Sequence, residues 1–481
     1  MLGGQPGAPG AQERGEFLPA RRLVRCGVPP RGVLPGEVPP GGGPWRGSHG
    51  PTIGTCWYRG AGRRSLAGQA KGNAAGRRRA EGSPAEASPG RRRAVPDVVI
   101  AGGGVVGCAT AVHLLEASPG IDVVVVEPDP THARAATGRG TGGVRQLFTC
   151  PENIALSQYT LEVIGHWEDW AGTTSCRAPD LRWRPQGYLF VAGEADVRAL
   201  ADNFETQRLH HVDAEWIEPA ALASRYPQLH VADLAGAVLS VRDGWLDPKA
   251  FFAGVRAKAE RLGAAFLTDR VVDFTVARNT VRSATLASGR ALTAGAVVNA
   301  AGTRAPGLAA GLGMRLPVEP MRRHEHYVRT GRDIGHLPFL KDVDGLAVHP
   351  HLSGLSVGLV DFGHPGGENF RVDPTYYARR VAPALAHRLR GLGQVEELRT
   401  WTGLYDQNRL DGNMILGNWP GHLDNFYVAS GFSGHGFMHA LGVGRGLAEL
   451  ILGGAYTSCD LHRMGYQRVL DDRPYPERGI R

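Results

Sequence analysis

The sequence predicts an α/β fold built on a parallel, doubly wound sheet, and three observations carry that prediction. The first is a strand, a Gly-rich turn, a helix and a second strand packed into about 30 residues from Asp97 to Glu127. The second is a further short apolar run, Ala296 to Gly302, that ends in small residues. The third is a strand near the end of the chain, Asn425 to Ala429, that enters a second glycine cluster and then a helix.

Each element has a local reason. Asp97-Val98-Val99-Ile100-Ala101 is apolar at nearly every position, as a parallel strand buried on both faces requires. Val105 to Glu116 reads as a helix with Val105, Val112 and Leu115 among its apolar positions, and Pro119-Gly120 ends it. Val123 to Val126 is a second buried strand closed by Glu127. Pro151 to Trp170 reads as one helix, Gly187 to Ala192 as a strand, and Pro248 to Leu262 as a helix. The last helix runs to Leu452, with Gly453-Gly454 as its C-cap.

Composition narrows the function. Of 481 residues, 54 are basic and 46 acidic, but residues 1–94 alone hold 16 basic and 5 acidic side chains. The rest of the chain is slightly acidic, so the excess charge does not indicate a nucleic-acid-binding fold. Six Cys without a C-x-x-C pair exclude a disulfide scaffold and a zinc ribbon. The longest apolar stretch, Val98 to Leu115, is cut by Gly102, Gly103, Gly104 and Gly107, so no transmembrane segment is expected. Residues 1–94 contain 21 Gly and 12 Pro without periodicity and are expected to be disordered. Three readings of them remain open: an Arg-rich mitochondrial transit region, a low-complexity arm, or an artefact of gene prediction in GC-rich DNA.

Gly102-Gly103-Gly104-Val105-Val106-Gly107 fits G-x-G-x-x-G. Gly102 allows the tight turn, Gly104 lets backbone approach a pyrophosphate, and Gly107 lets helix and strand pack closely. The helix start at Val105 and Val106 offers free N–H groups and a positive dipole end to the phosphates. Glu127, at the end of the next strand, is placed to accept from both ribose hydroxyls and to repel a 2′-phosphate. The second cluster, Gly431-Phe432-Ser433-Gly434-His435-Gly436, selects FAD over NAD. Its helix N-terminus can face the isoalloxazine edge where charge develops on reduction.

These segments, with Thr141-Gly142-Gly143-Val144-Arg145-Gln146-Leu147-Phe148, Leu316 to Pro320 and Gly403 to Asn408, resemble the D-amino-acid oxidase and sarcosine oxidase superfamily of flavoproteins. The resemblance runs from about residue 96 to the end. It implies an FAD-binding domain over 95–148, 266–314 and 401–470, interleaved with a mixed, mainly antiparallel α+β domain over 149–265 and 315–400, and a tail at 471–481. It implies cofactor contacts at Gly142, Gly143, Val272, Ala301, Gly302, Gly434, His435, Gly436 and Phe437. Covalent relatives attach flavin through Cys or His; here Leu404 stands near the Cys position and the run Thr137 to Thr141 has no His, so non-covalent FAD is expected.

Departures from the family bear on the substrate. Ala136 and Gly140 replace two serines near the cofactor. Arg145 matches an Arg that binds substrate carboxylate, with a structural ion-pair Arg as the competing reading. Met438 replaces the partner Lys of that clamp, and Ser356 replaces a Lys that activates oxygen. Two functions follow. In one, the protein resembles a mitochondrial branch required for assembly of respiratory complex I, in the matrix or on the matrix face of the inner membrane, with complex I subunits or assembly intermediates as partners. In the other, it is an FAD-dependent oxidoreductase of CH–NH donors whose partner is a small secondary amine. His324-Glu325-His326 puts two His on one face of a strand; without a third ligand nearby, no metal site is expected. Asp406 and Asp411 lie in a turn-rich stretch and are read as serving the turn.

Overall fold

The computed structural model describes residues 97–363 and 366–477. The readings placed on residues 1–94 lie outside the described residues. A six-stranded sheet runs in the order Ile415–Trp419, Leu423–Ser430, Ala296–Asn299, Val98–Ala101, Val123–Val126, Ala265–Leu267. All its pairs are parallel except the first. Strand alternation splits its apolar residues between two cores. Val98, Ile100, Val123, Val125 and Val298 pack under the helices Val105–Ala117, Pro248–Leu262 and Gly436–Gly453. Val99, Ala101, Val124, Val126 and Val297 pack under a three-stranded sheet formed by Val271–Ala277, Thr280–Leu286 and Ala291–Thr293. Burial on both faces is why these strands read as unbroken apolar runs.

The helices Val105–Ala117 and Gly436–Gly453 approach each other at a glycine. A Cβ on Gly444 would lie 2.6 Å from the Ala109 carbonyl carbon. That contact brings the two glycine clusters to the same edge of the sheet.

A second sheet has eight strands in the order Val395–Asn408, Val318–Thr330, Gly354–Leu359, Leu346–His351, Phe339–Lys341, Tyr188–Ala192, Gly236–Ser240, Ala214–Ile217. It is antiparallel except between Phe339–Lys341 and Tyr188–Ala192. One face carries Leu189, Val191, Leu239, Leu340, Val348 and Val357 into a separate core against Val381 and Leu385. The mixed α/β architecture expected from the sequence is present.

Several segments depart from expectation. Pro151 to Trp170 is two helices, Pro151–Gly165 and Trp167–Ala171, broken where His166 leaves helical backbone at φ −120° and ψ 28°. The strand at Ala296 stops at Asn299, and Gly302, at φ +55°, opens a 3₁₀ turn. Val395–Asn408 pairs with Val318–Thr330 along its whole length, so a boundary at 401 falls inside a strand of the eight-stranded sheet. Within 149–265, Pro151–Gly165 and Pro248–Leu262 join the helical layer of the six-stranded sheet, where Trp167 stacks on Phe251 at 5.2 Å. The tail is docked: Glu477 accepts from the Thr149 amide at 2.6 Å and from the Asn153 side chain at 2.9 Å. No described helix is long and apolar enough to cross a membrane.

Candidate functional site

A cavity of about 800 Å³ begins at the first glycine turn, passes Glu127, and ends against the eight-stranded sheet. Gly102, Gly104, Val105, Val106, Glu127, Gly142, Gly143, Arg145, Ala301, Gly302, Gly434, His435, Gly436 and Phe437 all line it. Two expected residues do not. Gly107 is spent on packing, since a Cβ there would lie 2.0 Å from the Gly102 carbonyl oxygen. Val272 is 46% exposed on the far side of its strand, and the alternation turns Val271 to the cavity instead.

The first turn is built as a cradle. Gly102 sits at φ +105°, a conformation side chains disfavour. Gly104 is the N-cap of Val105–Ala117, no side chain caps that helix, and a Cβ on Gly104 would meet nothing within 4 Å. The helix therefore presents uncapped N–H groups to open space. Glu127 is held by the Gly103 and Asp129 amides at 2.9 and 3.0 Å, which fixes its carboxylate at the end of the second strand. These features fit a dinucleotide: donors for a diphosphate, then a carboxylate for ribose hydroxyls. Ala136 and Gly140 line the wall in place of hydroxyl side chains, although Thr137 and Thr141 line it beside them.

The other two glycine motifs are explained by close approaches. A Cβ on Gly142 would lie 1.9 Å from the Leu246 carbonyl oxygen, and one on Gly143 would lie 2.4 Å from the Tyr188 hydroxyl. Gly434, at φ +95°, leaves room for the Tyr405 ring. Asp406 accepts from the Gly431 and Phe432 amides at 2.8 and 3.2 Å, so it serves the loop. Burial raises its pKa to about 6. Asp411 pairs with Arg468 at 2.8 Å.

Arg145 is buried at the far end of the cavity. One of its nitrogens donates to the Leu147 carbonyl, and Nη2 lies 3.2 Å from His435 Nε2. Its guanidinium stacks 3.8 Å above the Phe148 ring. Among the described residues no carboxylate lies within ion-pair distance of it, although the Glu477 and Asp243 charges act on it. Burial, then the Arg145 charge, holds His435 well below the usual histidine range, so its ring is neutral and its Nδ1 has no partner among the described residues. Met438 lines the cavity, and Ser356 donates to Glu325 at 2.5 Å.

Sequence reasoning missed the sheet side of this cavity. Arg323, Glu325, Lys341, Tyr188 and Tyr405 line it. The signal lay in Arg323 and Glu325, one residue out of step with His324 and His326. The two His do share a face, but it is the other one: the His324 ring stacks on Tyr376 at 4.6 Å.

The described cysteines are Cys108, Cys150, Cys176 and Cys459, and none lines the cavity. Leu404 does. Flavin is therefore expected to leave the protein on acid precipitation. Flavin retained in the washed pellet would show a covalent bond, with His132 and His435 as the attachment candidates.

The uncapped helix start, the fixed acid and the second glycine turn define a flavin-binding oxidoreductase. The chain belongs to the family described as FAD dependent oxidoreductase, which matches residues 97–450, and it is an FAD-dependent member of the D-amino-acid oxidase and sarcosine oxidase group. It is 30% identical over 424 residues to FAD-dependent oxidoreductase domain-containing protein 1 of Xenopus laevis, covering 80% of this chain and 84% of that protein. It is 25% identical over 378 residues to monomeric sarcosine oxidase of Bacillus sp. (strain B-0618), covering 74% and 92%. Among solved structures, L-proline dehydrogenase from P. horikoshii superposes with a TM-score of 0.68 at 25% identity, covering 79% of this chain and 99% of that one.

Proposed function

We propose that the protein oxidises the carbon–nitrogen bond of a small secondary amine that carries a carboxylate, such as an N-substituted amino acid. The observation that supports this reading is Arg145, a buried guanidinium facing the cavity and, among the described residues, paired with no carboxylate at ion-pair distance. A buried cation without a direct ion-pair partner is costly, and a substrate carboxylate would supply one. Gly104, the helix start and Glu127 would hold FAD, and Gly434 to Phe437 would lie at its flavin end. Bound FAD supplies a two-electron acceptor. Arg145 would fix the carboxylate, neutral His435 would add no competing charge, and the stacked Tyr188 and Phe339 rings, 4.3 Å apart, would keep water from the floor. The names of the sarcosine oxidases among its relatives support the substrate class.

The test is anaerobic titration of the yellow protein with secondary amines. Bleaching is expected with carboxylate-bearing amines and not with their neutral amides. A flavin spectrum unmoved by every amine would overturn the proposal.

Met438 and Ser356 favour a second reading, because both stand where sarcosine-type enzymes carry a lysine. In it the flavoprotein serves assembly of respiratory complex I, within the mitochondrial matrix or on the matrix face of the inner membrane. The Arg-rich first segment and the similarity to human mitochondrial sarcosine dehydrogenase support that location. Rescue of complex I by an Arg145→Ala protein, in cells lacking the native one, would favour this reading over the first.

A further inference from the structure

The sheet side of the cavity carries more positive charge than Arg145 alone accounts for. Arg323 and Glu325 are two apart on Val318–Thr330 and so share a face. Across the same sheet, Lys341 pairs with Ala347, and Phe339, two residues before Lys341, stacks on Tyr188. All six line the cavity.

Among the described residues the Lys341 side chain makes no hydrogen bond or ion pair, while its backbone is paired in the sheet. Arg323 Nε has no hydrogen-bond partner there, and its guanidinium lies 4.9 Å from the Tyr405 ring centroid. Glu325 is held by Ser356. Three cations, Arg145, Arg323 and Lys341, thus share the cavity with the carboxyl groups of Glu325, Asp406 and Glu477, and the Glu477 and Asp243 charges act on Arg145 rather than on Lys341. Burial, aided by the Arg323 and Arg145 charges, lowers the Lys341 pKa to about 7, and burial raises that of Glu325 to about 7. The protein alone therefore releases a proton from Lys341 near neutral pH. An anionic ligand beside Lys341 would restore that proton.

We propose that the substrate is an amine flanked by two carboxylates, one met by Arg145 beside His435 and the other by Lys341 with Arg323. The proposal rests on the amine-oxidising reading and specifies its substrate class. Where Met438 leaves no second cation on the helix Gly436–Gly453, Lys341 supplies one from the strand Phe339–Lys341, for a second anionic group. A monocarboxylate would neutralise Arg145 and leave Arg323 and Lys341 as they are.

The test is isothermal titration of the full-length, flavin-loaded protein with two probes that lack the amine. Thiodiacetate has two carboxylates about a thioether, and methylthioacetate has one. At pH 7 thiodiacetate is expected to bind at least about tenfold more tightly. Lys341→Met should reduce that ratio to about twofold or less, with the methylthioacetate affinity nearly unchanged. The charged groups acting on Lys341 are Arg323, Arg145 and Glu325, and Lys341 in turn acts on His435. Because binding restores the Lys341 proton, thiodiacetate should weaken progressively above pH 7 while methylthioacetate does not.

Equal affinity of the native protein for the two probes would overturn the proposal, as would an unchanged ratio in Lys341→Met. A variant that keeps the ratio but shifts the flavin midpoint potential would assign Lys341 to the cofactor instead. If Lys341→Met does not fold, the native ratio and its pH dependence decide. Tight thiodiacetate binding in a protein whose flavin no amine bleaches would refute the oxidoreductase reading and leave the dianion site. Amine bleaching with no preference for the dianion would refute the site alone.

Discussion

Gly104→Val yields a folded, colourless protein, and Gly107→Val yields little folded protein at all. The two glycines belong to one fingerprint but answer to different neighbours. A Cβ on Gly104 meets no atom within 4 Å, and its backbone, φ −67° and ψ −177°, is one any residue adopts. The added methyls therefore occupy cavity, where the diphosphate must approach. Only the change at the helix N-cap bears on the apoprotein, and it costs about 1 kcal/mol. What is lost is the stabilisation that bound cofactor adds, about 4 kcal/mol when free ligand is a thousandfold above its dissociation constant. At Gly107 the same Cβ would stand 2.0 Å from the Gly102 carbonyl oxygen, a backbone atom that cannot swing aside. The helix must then lift from the strand, a change on the order of 4–5 kcal/mol or more. Flavin absorbance and thermal melts of both apoproteins check this. A yellow Gly104→Val protein, or a stable Gly107→Val one, would remove the cradle assignment.

That division also shows what could be read in the sequence. The glycine fingerprint, the two valine-rich strands and Glu127 were legible because local pattern and tertiary role coincide there. A strand buried on both faces has no choice but to be apolar. The second glycine cluster was legible for a similar reason: Gly431 and Gly434 hold positive φ and leave space for Asn408 and Tyr405. The sheet side of the cavity was not. Lys341 stands in a stretch that reads as a polar turn, and only its pairing beside Ala347 and Tyr188–Ala192 turns it inward. Arg323 and Glu325 lie 16 residues or more before Lys341 on another strand, so no local spacing joins them to it. Val271 and Val272 illustrate the limit of a two-residue assignment. Alternation allows one of a neighbouring pair to face the cofactor, and the cavity takes Val271. The tail gave no periodic signal because Glu477 docks through its carboxylate to the Thr149 and Cys150 amides, a contact between residues more than 320 apart.

Arg145→Met separates function from stability by moving them in opposite directions. The native side chain is buried, with one bond to the Leu147 carbonyl, one contact to neutral His435 and the Phe148 ring beneath it. None of these neutralises its charge, and burial pulls its pKa down. Methionine keeps much of the volume, retains contact with Phe148 and removes the desolvated cation. The Leu147 carbonyl loses a donor, which costs about 1 kcal/mol. Relief of the buried charge offsets that loss, so the variant is expected to hold FAD and to melt at or slightly above the native temperature. Binding moves the other way. Removing the charged partner of a desolvated carboxylate costs about 2–5 kcal/mol, so affinity for carboxylate-bearing amines should fall by about 30-fold to several thousandfold. The loss should appear in KM and in the dissociation constant of unreactive carboxylates. Melting curves and flavin perturbation titrations on the same samples measure both effects. A variant that unfolds at lower temperature yet binds carboxylates as the native protein does would make Arg145 a structural residue, and the positive end of the cavity would then need another explanation.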